Sequence, residues 1–221
     1  MLRAVLFDMD GVIVDSEPTY VNIDIGIANE LGFPFTEAEQ RSYTGSSPRK
    51  MWEELKEKHH LPQSVDLLVE MEAKRVRAFY ESGDLKPISA TLQLIRELNR
   101  DGIACAIATS SLEQNAHKVM ERLKIRPFIG AVATSSQVKN CKPAPDIFLL
   151  AAHLLRFRPE ESVVIEDSRN GCLAGKAAGM KVVGFINPNS GNQDLSAADL
   201  RISDMSELTV DRLKALIDTQ G

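Results

Sequence analysis

The stretch Ala4-Val5-Leu6-Phe7-Asp8-Met9-Asp10-Gly11 limits the possible folds more than any other part of the chain. An unbroken apolar run reads as a short strand covered on both faces, as in parallel sheets, and one that ends in two carboxylates delivers acids to its carboxyl end. Open α/β sheets gather their ligands beyond such ends. Asp8 and Asp10 are two residues apart, so a straight strand would place them on one face, and Gly11 lets the backbone turn sharply after them. Carboxylates about 4 Å apart at an effective dielectric of about 20 repel by roughly 4 kcal/mol. Such a pair needs a cation between its members or a proton on one of them.

Downstream, the apolar pattern changes period twice. Ser16-Glu17-Pro18 has the form of a helix start, with Ser16 as cap, and from there to about Gly83 the spacing is helical. Ile23, Ile27, Ala28 and Leu31 form one stripe, Met51, Trp52 and Leu55 a second, and Val65, Leu68, Val69, Ala73, Val76 and Phe79 a third. Beyond Pro87, strands and helices alternate. Strands are expected at 103–108, 131–133, 163–165 and 182–185, and helices at 89–99, after the capping-box sequence Ser111-Leu112-Glu113-Gln114, after Asp146, up to Gly179 and from about Ser206. The predicted fold is α/β: a Rossmann-like parallel sheet with helices on both faces, plus a small all-helical cap inserted after the first strand. Residues 1–15 and 84–221 would form the core and residues 16–83 the cap.

Several function classes are disfavoured by composition. A net charge of −5 with scattered Lys and Arg gives no attraction for nucleic acid or an anionic membrane. No apolar run reaches the roughly 18 residues of a membrane span, and charges interrupt the first one, so a cytoplasmic location is expected. The 3 cysteines, Cys105, Cys141 and Cys172, have no metal-ligand spacing, and their odd number speaks against a disulfide framework. The histidines, His59, His60, His117 and His153, read as surface or helix residues, and Trp52 as part of the helical block's own core.

Further polar groups fall where strands end: Thr109 and Ser110, Lys142 in a proline-stiffened loop, and Glu166-Asp167. Each alone is an ordinary loop residue, but their shared placement on one rim is not. Phe7-Asp8-Met9-Asp10-Gly11, the strand ending in Thr109, Lys142 in Lys142-Pro143-Ala144-Pro145, and Glu166-Asp167-Ser168 together resemble the four motifs of the haloacid dehalogenase superfamily. The resemblance spans the whole chain, and the helical block looks like the cap of the branch that contains β-phosphoglucomutase and sugar-phosphate phosphatases. The second acid, Asp10, favours phosphoryl transfer over dehalogenation.

The resemblance implies a Mg²⁺-dependent phosphatase acting on a small phosphorylated metabolite, with a sugar or polyol phosphate as the expected substrate. Asp8 would be the nucleophile, forming an aspartyl phosphate that splits one difficult hydrolysis into two steps. Asp10 would protonate the leaving oxygen and then take a proton from the attacking water. Thr109 and Lys142 would face the phosphoryl oxygens. The resemblance also assigns Mg²⁺ to Asp8, the Asp10 carbonyl and Asp167, with Glu166 beside them. Asp8, Glu166, Asp167 and a phosphate dianion sum to about −5, which Lys142 alone does not offset. Glu17, Gly45, Arg49, Ser110 and Asn170 are the expected substrate contacts, Arg49 matching a cap arginine that touches the non-reacting part of a phosphosugar. The partner would be a small phosphorylated metabolite, and the chain a monomer or weak homodimer. A phosphomutase is the nearest alternative, although the mutase's histidine and lysine fall at Tyr20 and Val76, which supply neither a cation nor a proton relay. A non-catalytic phosphometabolite-binding module is the alternative of another class.

Overall fold

The structure, a computed structural model, describes residues 1–43, 46–82 and 85–218. Strand β1 (Ala4–Phe7) is followed by four helices, α1 (Glu17–Leu31), α2 (Glu37–Arg41), α3 (Pro48–His59) and α4 (Val65–Ser82). The βα alternation then runs α5 (Ser89–Arg100), β2 (Ala104–Thr109), α6 (Glu113–Arg122), β3 (Ala131–Thr134), α7 (Asp146–Leu155), β4 (Ser162–Glu166), α8 (Arg169–Ala177), β5 (Lys181–Phe185), β6 (Leu200–Ile202) and α9 (Val210–Asp218). All strands pair in parallel, in the order β3-β2-β1-β4-β5-β6. The chain reverses its direction of travel across the sheet between β1 and β4, and a reversal of this kind opens a crevice beyond the strand ends. Sequence reading has no strand at Leu200–Ile202, because three residues are too few to display a period.

Side-chain alternation divides the core between the two faces of the sheet. Val5, Phe7, Ile107, Val163 and Ile165 face the layer holding Leu94, Ile95, Val119 and Leu213, from α5, α6 and α9. Ala4, Leu6, Ala106, Ala108 and Val164 face Phe148, Ala151, Cys172 and Ala174, from α7 and α8. The central strands β1 and β4 are buried along their whole length, which accounts for their continuous apolar sequences.

The four inserted helices have a core of their own, built from Ile27, Ala28, Phe33, Phe35, Met51, Trp52, Leu55, Leu61 and Leu68. Trp52 is fully buried in it, and truncation of a Trp so placed costs about 3–5 kcal/mol. Val76 and Tyr80, on the last turns of α4, join the main core instead and tie the insertion to the sheet. No helix among the described residues is long and apolar enough to cross a membrane.

Candidate active site

Register brings the acids together. Phe7 pairs with Ile165, and the Asp8 amide donates to the Ile165 carbonyl at 3.0 Å. Asp8 and Glu166, each the next residue along its strand, therefore sit side by side at the mouth of the crevice. Lys142 comes from the loop between β3 and α7 and takes both: its Nζ donates to Asp8 Oδ1 at 2.5 Å, to Glu166 Oε1 at 2.7 Å and to the Ala108 carbonyl at 3.1 Å. The ammonium also lies 4.9 Å from the centroid of the Phe148 ring. Burial works against the charged lysine, yet the two carboxylates outweigh it and hold its pKa above the usual range. The Asp8 carboxyl is pushed up to about 8, first by burial and then by Glu166 and Asp10, with Lys142 opposing.

Asp10 finds a different solution to the repulsion expected between neighbouring acids. Its Oδ1 accepts from the hydroxyls of Ser16 and Tyr80, each at 2.6 Å, and its Oδ2 from that of Ser111 at 2.8 Å. The Tyr20 hydroxyl lies 3.2 Å from that of Tyr80 and 3.4 Å from Ser111 Oγ. Burial first, and then the Asp10 charge, keeps both phenols well above their ordinary pKa and therefore neutral. Two expected helix caps are corrected here. Ser16 makes no capping bond to α1, and the capping position just before α6 is held by Leu112 and not Ser111, because both serine hydroxyls are directed to Asp10 instead.

Glu166 is fixed by its own loop: Oε2 accepts from the amides of Asp167 and Ser168 and from the Ser168 hydroxyl, each at 2.9 Å. The Ser190 hydroxyl donates to Asp167. Two glycines make room for these acids. A Cβ on Gly11, whose φ of +80° marks the turn after Asp10, would fall 1.9 Å from Asp167 Oδ2, and one on Gly171 would fall 1.8 Å from Glu166 Oε1. The Asp167 carboxyl is held well above its normal pKa by burial, then by Glu166, Asp8 and Glu17.

Among the described residues no three His, Cys, Asp or Glu side chains form a ready-made metal cage. The donors available beside Asp8 and Asp167 are oxygens, and the one ammonium pairs with Asp8 and Glu166, leaving the buried Asp167 without a cation among the described residues. That set fits a hard divalent cation that keeps part of its water shell, and does not fit a metal requiring nitrogen or sulfur.

The site opens into a cavity of roughly 420 Å³, walled on one side by the strand ends and on the other by the inserted helices. Asp8, Asp10, Thr109, Ser110, Lys142, Glu166, Asp167 and Glu17 all line it. Thr109 is buried at the end of β2, where its Oγ1 accepts from the Ser111 amide at 3.0 Å. Arg49 departs from expectation: it does not line the cavity, and its guanidinium donates to Asp66 at 2.5 Å on the exposed surface of α3. The first turn of α3 begins at Pro48 and turns residue 49 outward, away from the apolar stripe of Met51, Trp52 and Leu55. Asn170, at the start of α8, is likewise not among the lining residues, and Gly45 lies outside the described residues. The histidines take no part in the lining, and His59 stacks on Phe33 with centroids 4.5 Å apart.

Sequence reasoning missed Ser16, Ser111, Tyr20 and Tyr80 as partners of the Asp10 environment, and missed three polar residues of the cap wall, Asp24, Gln40 and Glu72. Asp24 and Glu72 do carry a signal, since each sits on or beside the apolar stripe of its helix.

Comparison with known proteins agrees with the architecture. A family described as haloacid dehalogenase-like hydrolase matches residues 5–185. A phosphorylated carbohydrates phosphatase of Thermotoga maritima is 32% identical over 94% of this chain and 96% of its own length. The β-phosphoglucomutase of Bacillus subtilis is 29% identical over 96% of this chain and 94% of its own. Among solved structures, a CbbY variant from Rhodobacter sphaeroides in complex with xylulose-(1,5)bisphosphate superposes with a TM-score of 0.81 at 26% identity, covering 94% of this chain and 96% of that one.

Proposed function

The chain belongs to the haloacid dehalogenase-like hydrolase family, and from that premise we propose that it is a Mg²⁺-dependent phosphatase of a small phosphorylated carbohydrate, working through an aspartyl phosphate. The observation that carries the reading is the meeting of Asp8, Lys142, Glu166 and Asp167 at the reversal point of the sheet, inside a cavity that also admits Thr109 and Asp10. Phosphatase and mutase relatives acting on phosphorylated carbohydrates support the substrate class.

In the first step an oxygen of Asp8 forms a bond to phosphorus while the bond to the leaving oxygen breaks. Lys142 holds the Asp8 carboxylate in place, and its charge lowers the repulsion between that carboxylate and the phosphoryl group. The Thr109 hydroxyl is at the right strand end to donate to a phosphoryl oxygen. Asp10 supplies the proton to the leaving oxygen; in the second step a water oxygen bonds to phosphorus as the Asp8 oxygen–phosphorus bond breaks, and Asp10 accepts the proton from that water. Both its oxygens now accept from hydroxyls, so this role requires Tyr80 or Ser111 to give up its bond and Asp10 to take up a proton when substrate enters. Asp8, Asp167 and, by resemblance, the Asp10 carbonyl would hold Mg²⁺, with Glu166 alongside. Bound there, the ion supplies positive charge against the phosphoryl oxygens.

The test is hydrolysis of para-nitrophenyl phosphate, with and without Mg²⁺. The reading expects phosphate release that EDTA abolishes and Mg²⁺ restores, and an inert wild-type protein would instead leave a binding module. Steady conversion of β-glucose 1-phosphate to glucose 6-phosphate without phosphate release would favour the mutase. Tyr20 and Val76, both on the cavity wall, weigh against that outcome because neither carries a mobile charge.

A further inference from the structure

On the cap wall, Asp24 of α1, Gln40 of α2 and Glu72 of α4 meet although they come from three helices. Gln40 Nε2 donates to Asp24 Oδ2 at 2.9 Å, and Trp52 Nε1 donates to Glu72 Oε2 at 2.5 Å. Asp24 is 2% exposed, Gln40 5% and Glu72 5%, yet all three line the cavity. Asp24 Oδ1 and Gln40 Oε1 have no hydrogen-bond partner among the described residues. Buried polar atoms are nearly always satisfied, and these two have almost no accessible surface as the side chains stand, so an occupant of the cavity completes their bonding only once Asp24 and Gln40 turn slightly towards it.

Gln40 Oε1 can only accept, and Asp24 Oδ1 accepts whenever that acid is ionised, so the missing partner must donate to at least one of them. A second phosphate or a carboxylate brings only acceptors and more negative charge, and it would meet Asp24 and Glu72. Lys142 is taken by Asp8 and Glu166, and the other cation on the described lining, Arg77, is exposed. That leaves hydroxyls or an ammonium. Both acids already receive a neutral N–H donor, and apolar Met51, Val69 and Val76 line the same wall, which suits the C–H face of a polyol better than a compact charge. Building on the phosphatase reading, we propose that Asp24, Gln40 and Glu72 bind hydroxyl groups on the non-phosphorylated end of the substrate, selecting uncharged polyhydroxylated monophosphates over bisphosphates. Burial supports this, because it pushes the Asp24 carboxyl up to about 8 and Glu72 to about 7, so near neutrality the pair holds a proton and less than its full charge.

The experiment compares kcat/KM for hexose and hexitol monophosphates, the matching bisphosphates, phosphoethanolamine and para-nitrophenyl phosphate, which lacks hydroxyls. Wild-type protein is set beside Asp24→Leu, Gln40→Leu and the isosteric Asp24→Asn, which relieves a buried acid and keeps the shape should the leucine variants fail to fold. The best polyol monophosphate is expected to exceed its bisphosphate at least tenfold. The ratio of its kcat/KM to that for para-nitrophenyl phosphate should fall about tenfold or more in the leucine variants, and by a smaller factor in Asp24→Asn. An unchanged ratio in all three variants, a preference for the bisphosphate, or a preference for phosphoethanolamine overturns the proposal while leaving the phosphatase reading intact. Absence of turnover on every compound overturns both.

Discussion

At the strand ends, Asp8 and Glu166 share the Lys142 ammonium; across the same cavity, the partners of Asp24 and Glu72 among the described residues are the neutral N–H groups of Gln40 and Trp52. All four acids are buried, and desolvation pushes Asp8, Asp24 and Glu72 towards protonation. The difference lies in what balances them. A fixed charge beside an acid opposes its protonation and prepares the site for an anion and a cation together. Neutral donors leave an acid free to hold a proton and serve hydroxyl groups. One cavity can therefore treat the two ends of a single molecule by different chemistry.

Replacing Asp8 with Asn strikes the charged side hardest: turnover of para-nitrophenyl phosphate should fall at least about 10³-fold, since the covalent step loses its nucleophile. Lys142→Met keeps the shape but leaves Asp8 and Glu166 unpaired. Breaking a buried pair in this way costs about 3–5 kcal/mol, read as a lower urea midpoint, and an unmoved midpoint would show that Lys142 does not balance the acids. On the neutral side, Trp52→Phe removes a donor along with part of a fully buried ring, and the unpartnered Glu72 carboxyl should then destabilise the fold by about 1–3 kcal/mol beyond the packing loss. This loss should grow with pH, whereas a pH-independent one would point to packing alone.

The cap acids also predict the direction of a pH effect. Asp24 titrates at about 8 and Glu72 at about 7 in the fold, against about 4 in the unfolded chain. The folded state binds more protons between those values, so stability from this pair is fully present below about pH 4 and is lost as pH rises through about 7 to 8. In urea titrations at pH 5 and pH 8, Asp24→Asn should lose less stability on going to pH 8 than the wild type does. If both proteins lose the same amount, Asp24 is ionised in the fold and the contrast with Asp8 disappears. Smallest of all is Arg49→Ala. Its exposed ion pair with Asp66 should matter little, and a change beyond about twofold in kcat/KM for a sugar monophosphate would return Arg49 to the site.

The strand-end side of the candidate site was legible in sequence because all but one of its acids and hydroxyls follow directly from a strand. Asp8, Thr109 and Glu166-Asp167 each follow a recognisable apolar run, and Lys142 stands in a proline-rich loop after another. Parallel pairing then brings those ends to one rim without further information. The surroundings of Asp10 were hidden because Ser16 and Ser111 look like helix caps, a role that the same hydroxyl fills equally well. Asp24, Gln40 and Glu72 were hidden for another reason: a polar residue on a helix reads as solvated, and only the packing of α1, α2 and α4 shows that these three face one another. The sheet's short last strand carried no period to read.

Gly11 and Gly171 set how much this site can vary. Each stands where a carboxylate occupies the position of an absent methyl group, one for Asp167 and one for Glu166. Even alanine, the most modest of substitutions, would have to evict an acid at either position. The backbone at these two points is in effect the mould in which the acids are cast, and chemistry at the strand ends can be altered by a residue that never touches substrate.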